Sequence, residues 1–197
     1  MKRALRALAG VCGAGILGAC SSSKATGPGA QHGATIESTA EAKLAFASLK
    51  YEAEEIDGKV QTNFRAPLSI PGVAGSASVT GSKSSTSSSS SSSTFSSRIS
   101  DLNVDLAGFQ SSASGAAVSG HIRWTDYSDS RTACSISTCA SSSHHSQSLD
   151  GASVEIAFTY SGKTYHDRIS VDAGSSGSSW SVALTNGAGQ KFSFSYP

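Results

Sequence analysis

The chain is poor in charge and in aromatic side chains, which make up 15% and 7% of its residues, and its formal net charge is only +1. So weak a field excludes tight electrostatic capture of nucleic acid or of an anionic lipid surface, and no basic cluster alternates with aromatics as a nucleic-acid face requires. Membrane-spanning length is also missing from the N-terminal apolar run, Ala7 to Leu17, which is about eleven residues against roughly twenty for a helix that crosses a bilayer. There is no G-x-S-x-G elbow and no H-E-x-x-H pair, and the stretch Gly72 to Gly75 lacks the Lys-Ser/Thr ending of a phosphate loop. These absences remove the sequence signatures of an α/β hydrolase, a zinc protease and a P-loop enzyme. Serine and glycine are abundant instead, a composition that suits an extracytoplasmic β-protein with many turns better than a helical cytosolic enzyme.

At the N-terminus, Lys2, Arg3 and Arg6 precede the short apolar run, and the small residues Gly18 and Ala19 stand immediately before Cys20. This is the layout of a secretory signal. Leu17-Gly18-Ala19-Cys20 resembles the lipobox of bacterial lipoproteins, which places Leu and two small residues ahead of an invariant Cys. The resemblance covers about twenty residues of the chain. It implies transfer of diacylglyceryl to the Cys20 thiol, cleavage before it, and fatty acylation, palmitate-like, of the new amine in many Gram-negative bacteria. Cys20 is then an attachment point. Two or more acyl chains give stable anchoring where one is marginal, each buried CH₂ contributing about 0.8 kcal/mol. Ser21 stands where lipoproteins kept in the inner membrane usually carry Asp, so the resemblance favours the outer membrane if the source is Gram-negative. Loss of residues 1–19 takes three basic side chains away and the net charge from +1 to −2.

With Cys12 gone in the signal and Cys20 lipidated, Cys134 and Cys139 remain. In an oxidising exported compartment they are expected to form a local disulfide clamping Ser135 to Thr138. Closing so short a loop contributes roughly 2 kcal/mol on a chain-entropy account, enough to order one loop but not to hold a domain together.

Residues 20–37 read as the lipidated Cys followed by a flexible tether of small and polar residues. A helix is expected over 38–58, because Ser38 and Glu41 resemble a capping box and Phe46, Leu49, Ala53 and Ile56 recur on one face before Gly58. Residues 59–197 read as a β domain. Phe64, Leu68 and Ile70, interrupted by Pro67 and Pro71, suggest an edge strand or a broken one. Residues 82–97 are nearly all Ser and Thr, including seven consecutive serines from Ser87, and are expected to form a disordered loop for want of apolar surface.

From Ile99 onward the apolar residues alternate: Leu102, Val104 and Leu106; Val118, Ile122 and Trp124; Val154, Ile156, Phe158 and Tyr160; Tyr165, Ile169 and Val171; Trp180, Val182 and Leu184; Phe192, Phe194 and Tyr196. Side-chain parity fixes the loops between them. The even set ending at Tyr160 and the odd set starting at Tyr165 share a face only across an even loop, for which a Gly162-Lys163 turn pairing Tyr160 with Tyr165 is expected. The last hairpin needs an odd loop, expected as Thr185-Asn186-Gly187 with Trp180 opposite Phe192. The fold class is therefore mainly β, an antiparallel β-sandwich or small barrel with one N-terminal helix.

Chemistry is harder to find. By parity His121 and His166 lie on polar strand faces beside Arg123 and Arg168. Cys134, Cys139, His144 and His145 together hold the donor atoms of a zinc or copper site, but the spacing is not that of a finger and the disulfide competes for both thiols. Asp167 is the one acid whose parity places it with apolar Tyr165 and Ile169. Trp124 and Trp180 fall on apolar faces, as core. No cofactor and no catalytic residue is expected. The reading is a membrane-anchored, non-enzymatic structural or binding module of the cell envelope, joined to the membrane by its lipid and to an unidentified envelope partner, with no nucleic acid. The alternative is a small hydrolase or metal-binding protein using His121, His144, His145 or His166. Two or more of these converging with Asp126 or Asp167 in one pocket would mark that alternative. A third class is envelope assembly through an exposed sheet edge.

Overall fold

The computed structural model describes residues 33–65 and 67–197, so the expected signal, Cys20 and the tether as far as residue 32 lie outside the described residues. Helix α1 (Thr39–Lys59) starts as its first residues dictate: the Ser38 side chain accepts from the Glu41 N–H, and the Glu41 carboxylate accepts from the Ser38 N–H. The same carboxylate also takes the Glu37 N–H, Lys163 Nζ and the Tyr165 hydroxyl, tying the helix start to the sheet. These bonds, that of Glu37 foremost, hold the Glu41 carboxyl down at about 2. Phe46, Leu49, Ala53 and Ile56 are all buried, as their spacing predicts. The helix runs through Gly58 and stops where Val60 turns extended.

Eight strands follow: β1 (Leu68–Pro71), β2 (Ala74–Ser89), β3 (Ser93–Gln110), β4 (Ala117–Cys134), β5 (Cys139–Tyr160), β6 (Lys163–Ser176), β7 (Ser179–Thr185) and β8 (Lys191–Tyr196). Among the described residues the fold is mainly β with one helix, of the barrel or sandwich class. Each strand pairs antiparallel with its neighbours in sequence, in the order β1 to β8. In a flat sheet β4 and β7 would stand three spacings of about 4.8 Å apart. Yet Trp124 on β4 stacks on Trp180 on β7 with ring centroids 6.1 Å apart. The sheet therefore curls, and α1 packs in the concavity. Phe46 meets Trp180, Phe194 and Tyr196 edge-on at 5.5, 6.2 and 5.4 Å. Bulges add to the curl. At the one between Ser119 and Arg123, Gly120 has φ +125°, and a Cβ there would stand 2.6 Å from the Ser153 carbonyl oxygen.

Asp167 is buried, as parity predicts, and its role is structural. Its two oxygens accept from the N–H groups of Ile36 (2.9 Å), Arg168 (2.8 Å) and Gly187 (3.2 Å), while Asn186 Nδ2 donates to the Ile36 carbonyl. Ala34 meanwhile bridges Tyr165 in parallel. Residues 33–37, expected as the end of the tether, are thus held against the domain. The tether's small residues suggested flexibility, but β6 supplies partners: the Ala34 N–H donates to the Thr164 carbonyl, the Ala34 carbonyl accepts from the His166 N–H, and Asp167 takes the Ile36 N–H.

Three further expectations are corrected. The β5–β6 loop is even, but the turn is Ser161-Gly162, one residue earlier, so Phe158 faces Tyr165, Ile156 faces Asp167 and Tyr160 faces Lys163. Ser161 and Gly162 carry φ of 50° and 78°, the twin left-handed pattern that places Gly second. Tyr160 is accordingly exposed. The last loop is odd but longer, Asn186 to Gln190, putting Leu184 opposite Phe192 and Trp180 opposite Tyr196. Gly189 rather than Gly187 takes the left-handed conformation, and the Asn186 side chain closes the loop on the Gln190 N–H. Finally, residues 82–97 are not a loop. Ser82 to Ser89 pair residue by residue with Thr94 to Asp101 around a tight turn.

Candidate functional site

The serine tract belongs to a four-stranded blade. β2, β3, β4 and β5 run on past the core in continuous register, from about Ser82, Asp101, Thr125 and Ser148 to the tips at Ser90–Ser93 and Cys134–Cys139. Nothing packs under most of it: from Ser84 to Thr94 and from Cys139 to His144 every residue is exposed. Sequence reasoning missed this because it counted apolar surface only. Here neighbouring strands satisfy the backbone, and hydroxyls pair across the seams, Ser96 with Ser130 at 2.8 Å and Thr132 with Ser141 at 3.0 Å. The detectable signal was the long polar run flanking the apolar pattern on both sides of each hairpin.

Alternation gives the blade two different faces. On the face continuous with the core, Ser87, Ser96, Ser130 and Ser143 stand opposite one another across the four strands, and Ser89, Thr94, Thr132 and Ser141 do so nearer the tip. The other face carries Ile99, Phe95 and Tyr127 among hydroxyls. There Arg131 caps the Phe95 ring at 5.2 Å, and His144 lies 5.8 Å from Tyr127.

Where blade meets core, the helix C-terminus is pinned by charge. Asp57 binds Lys83 at 3.2 Å and also Arg98, and Lys83 Nζ donates to the Asp57 carbonyl. A cation beside the last helical carbonyls complements the helix dipole. Ser100 Oγ, Arg98 Nε and Trp124 Nε1, all close to this junction, are buried without a hydrogen-bond partner among the described residues.

The disulfide is formed. Cys134 and Cys139 are cross-strand neighbours at the tip of the β4–β5 hairpin, and Ser135 and Thr138 close the loop between them. Because Ser135 and Thr138 form the hydrogen-bonded pair, the cysteines occupy the adjacent non-bonded pair, where Cα atoms approach more closely. Their separation is 4.0 Å. Ile136, in that loop, is fully exposed.

The histidines do not converge. His121 pairs with Asp105 (2.9 Å), His145 with Asp126 (2.9 Å) and His166 with Glu155 (2.7 Å), each across a different strand seam. His144 and His145 point to opposite faces of β5, and the thiols that would complete a metal site with them are joined to each other. Among the described residues no group of three or more His, Cys, Asp or Glu is placed to hold a metal ion. Ser128 stands opposite His145, whose Nε2 is turned to Asp126. Asp150 and Asp172 face each other on the solvent side of β5 and β6. Burial and then the neighbouring Asp172 carboxylate push the Asp150 carboxyl up. Trp124 and Trp180 are core, as expected. Among the described residues no helix is long and apolar enough to cross a membrane.

No protein-family model matches this chain, and no curated protein or solved structure does.

Proposed function

We propose that this chain is a lipid-anchored, non-enzymatic module of the bacterial cell envelope, and that the serine-rich blade is the surface it presents to a partner there. Support for the anchor comes from the charged start, short apolar core and Leu17-Gly18-Ala19-Cys20 in order. The observation that carries the binding role is the blade, ordered on four strands yet exposed on both faces. Fixing a backbone residue costs roughly 1–2 kcal/mol, and the blade buries little apolar surface in return. Such an element adds little to the fold's own stability and a great deal to its accessible surface. The dispersal of the histidines supports binding over hydrolysis or metal chemistry.

The test is expression of the full chain in a Gram-negative bacterium with mass spectrometry of its N-terminal peptide. The expected peptide begins at Cys20 and carries fatty acyl groups, and Cys20→Ala leaves the chain unacylated and outside the lipoprotein fraction. An unmodified Cys20 thiol with residues 1–19 still attached would overturn the anchor.

A further inference from the structure

The outer strands of the sheet are protected against pairing with another chain in the usual ways. β1 has four residues bracketed by Pro67 and Pro71, and β8 has six residues beginning with Lys191. The blade stretch of β2 lacks such protection along its whole length. Beyond Lys83, whose carbonyl accepts from the Asn63 N–H, no strand or backbone bond covers the outer side of β2 from Ser84 to Ser89 among the described residues. It carries no charge, no proline and no bulge.

The direction of its backbone groups follows from the ladder. Ser90 and Ser93 form the bonded pair at the turn, so Ser88, Thr86 and Ser84, two, four and six residues before Ser90, are the positions bonded to β3. Ser85, Ser87 and Ser89 alternate with them and turn N–H and C=O outward, in phase with the outward carbonyl of Lys83. The corresponding edge of β5 is partly occupied, since His145 accepts from the Gly177 N–H and the Gln147 N–H donates to Ser175 Oγ.

We infer that the Ser84–Ser89 edge of β2 is a self-association site, on which the same edge of a second copy pairs antiparallel about a two-fold axis at Ser87. The occupant follows from what already lies on the inner side of these strands. The blade's seams join Ser/Thr strands by backbone ladders and hydroxyl pairs without a core beneath, and a second β2 offers that same chemistry. Charge is matched too: the segment is neutral, so two copies meet without repulsion. A two-fold arrangement sets Ser85 of one copy opposite Ser89 of the other and closes on itself. Anchoring both copies to one surface raises their effective concentration, although the pairing itself rests on the blade and not on the lipid.

The test is a Ser87→Cys variant of the full chain, treated with a short bismaleimide in whichever fraction of the cell holds it. The expected product is a covalent dimer of this chain. Ser142→Cys on β5, about 34 Å from its counterpart in such a pair by strand spacing, is expected to give none. Adding Ser85→Pro removes an outward N–H that β3 does not use and, by symmetry, two intermolecular bonds, so the Ser87→Cys dimer should fall at least about tenfold. Should that variant fail to fold, judged by loss of protease resistance, Ser85→Lys places a charge on the edge and should have the same effect. No dimer through Ser87→Cys, equal cross-linking through Ser142→Cys, or an adduct to a different protein would each overturn the proposal.

Discussion

At the scale of single residues, the acids of this protein are used to hold segments together. Glu52 is fully buried on α1 and accepts from the Ser111 N–H at 2.8 Å through Oε2, while its Oε1 has no hydrogen-bond partner among the described residues. Gly115 approaches so closely that a Cβ there would stand 2.3 Å from Oε1. Burial pushes the Glu52 carboxyl up from 4.5, against the opposing Ser111 bonds. A carboxyl raised in the folded state favours the fold while it stays protonated. Its contribution therefore falls as pH rises from about 4.5 through the raised value. Glu52→Gln keeps the acceptor without the charge, so we expect thermal unfolding to show it more stable than the wild type at pH 8, by about 1 kcal/mol, with the gap closing by pH 4. Parallel profiles for the two proteins across that range would refute this. Asp167 was visible as a buried acid from parity alone. That it latches Ile36 was not, because its partners lie 131 residues earlier and in another loop.

At the scale of elements, what alternates was legible and what depends on turn geometry was not. The capping box and apolar stripe defined α1 to within a residue or so, and the odd or even length of both C-terminal hairpin loops followed from side-chain parity. The turn positions slipped because left-handed backbone at Ser161, Gly162 and Gly189, not parity, selects where the chain reverses. The serine tract was misjudged for a different reason: its first half is ordered by a polar hairpin with Thr94 to Asp101, and its second half also by β4 more than thirty positions away, such as Ser130 across from Ser96. The disulfide was readable from the count of cysteines, and its place at a blade tip sets its effect. It closes a loop remote from the core, so replacing both Cys134 and Cys139 by Ser should lower global stability by less than about 1 kcal/mol, below the roughly 2 kcal/mol of the entropy account. Proteolytic nicking between Ser135 and Thr138 should rise in the same variant. A large drop in the denaturant midpoint, with the tip still resistant, would show that the clamp supports the whole fold.

At the scale of the molecule, one sheet serves two regimes. The same strand β3 passes from Leu102 and Val104, which are buried under α1 and against β4, to Ser93 and Thr94, which are exposed on the blade. Core amides open only with the whole fold, whereas ladders without buried apolar contacts open locally at far lower cost. Native-state hydrogen exchange should therefore show the Leu102 and Val104 amides protected at least about a hundredfold more than those of Ser96 and Ser97, although all four sit in a hydrogen-bonded ladder. Pairing through β2 adds a distinct signature. The outward amides of Ser85, Ser87 and Ser89 have no bond to the described residues of their own copy, and they gain protection only as concentration or membrane density rises, while Ser96 changes less. Uniform protection along β3 at every dilution would mean that the blade shares the core's cooperativity, and the division between a stable core and a separately opening blade would then fail.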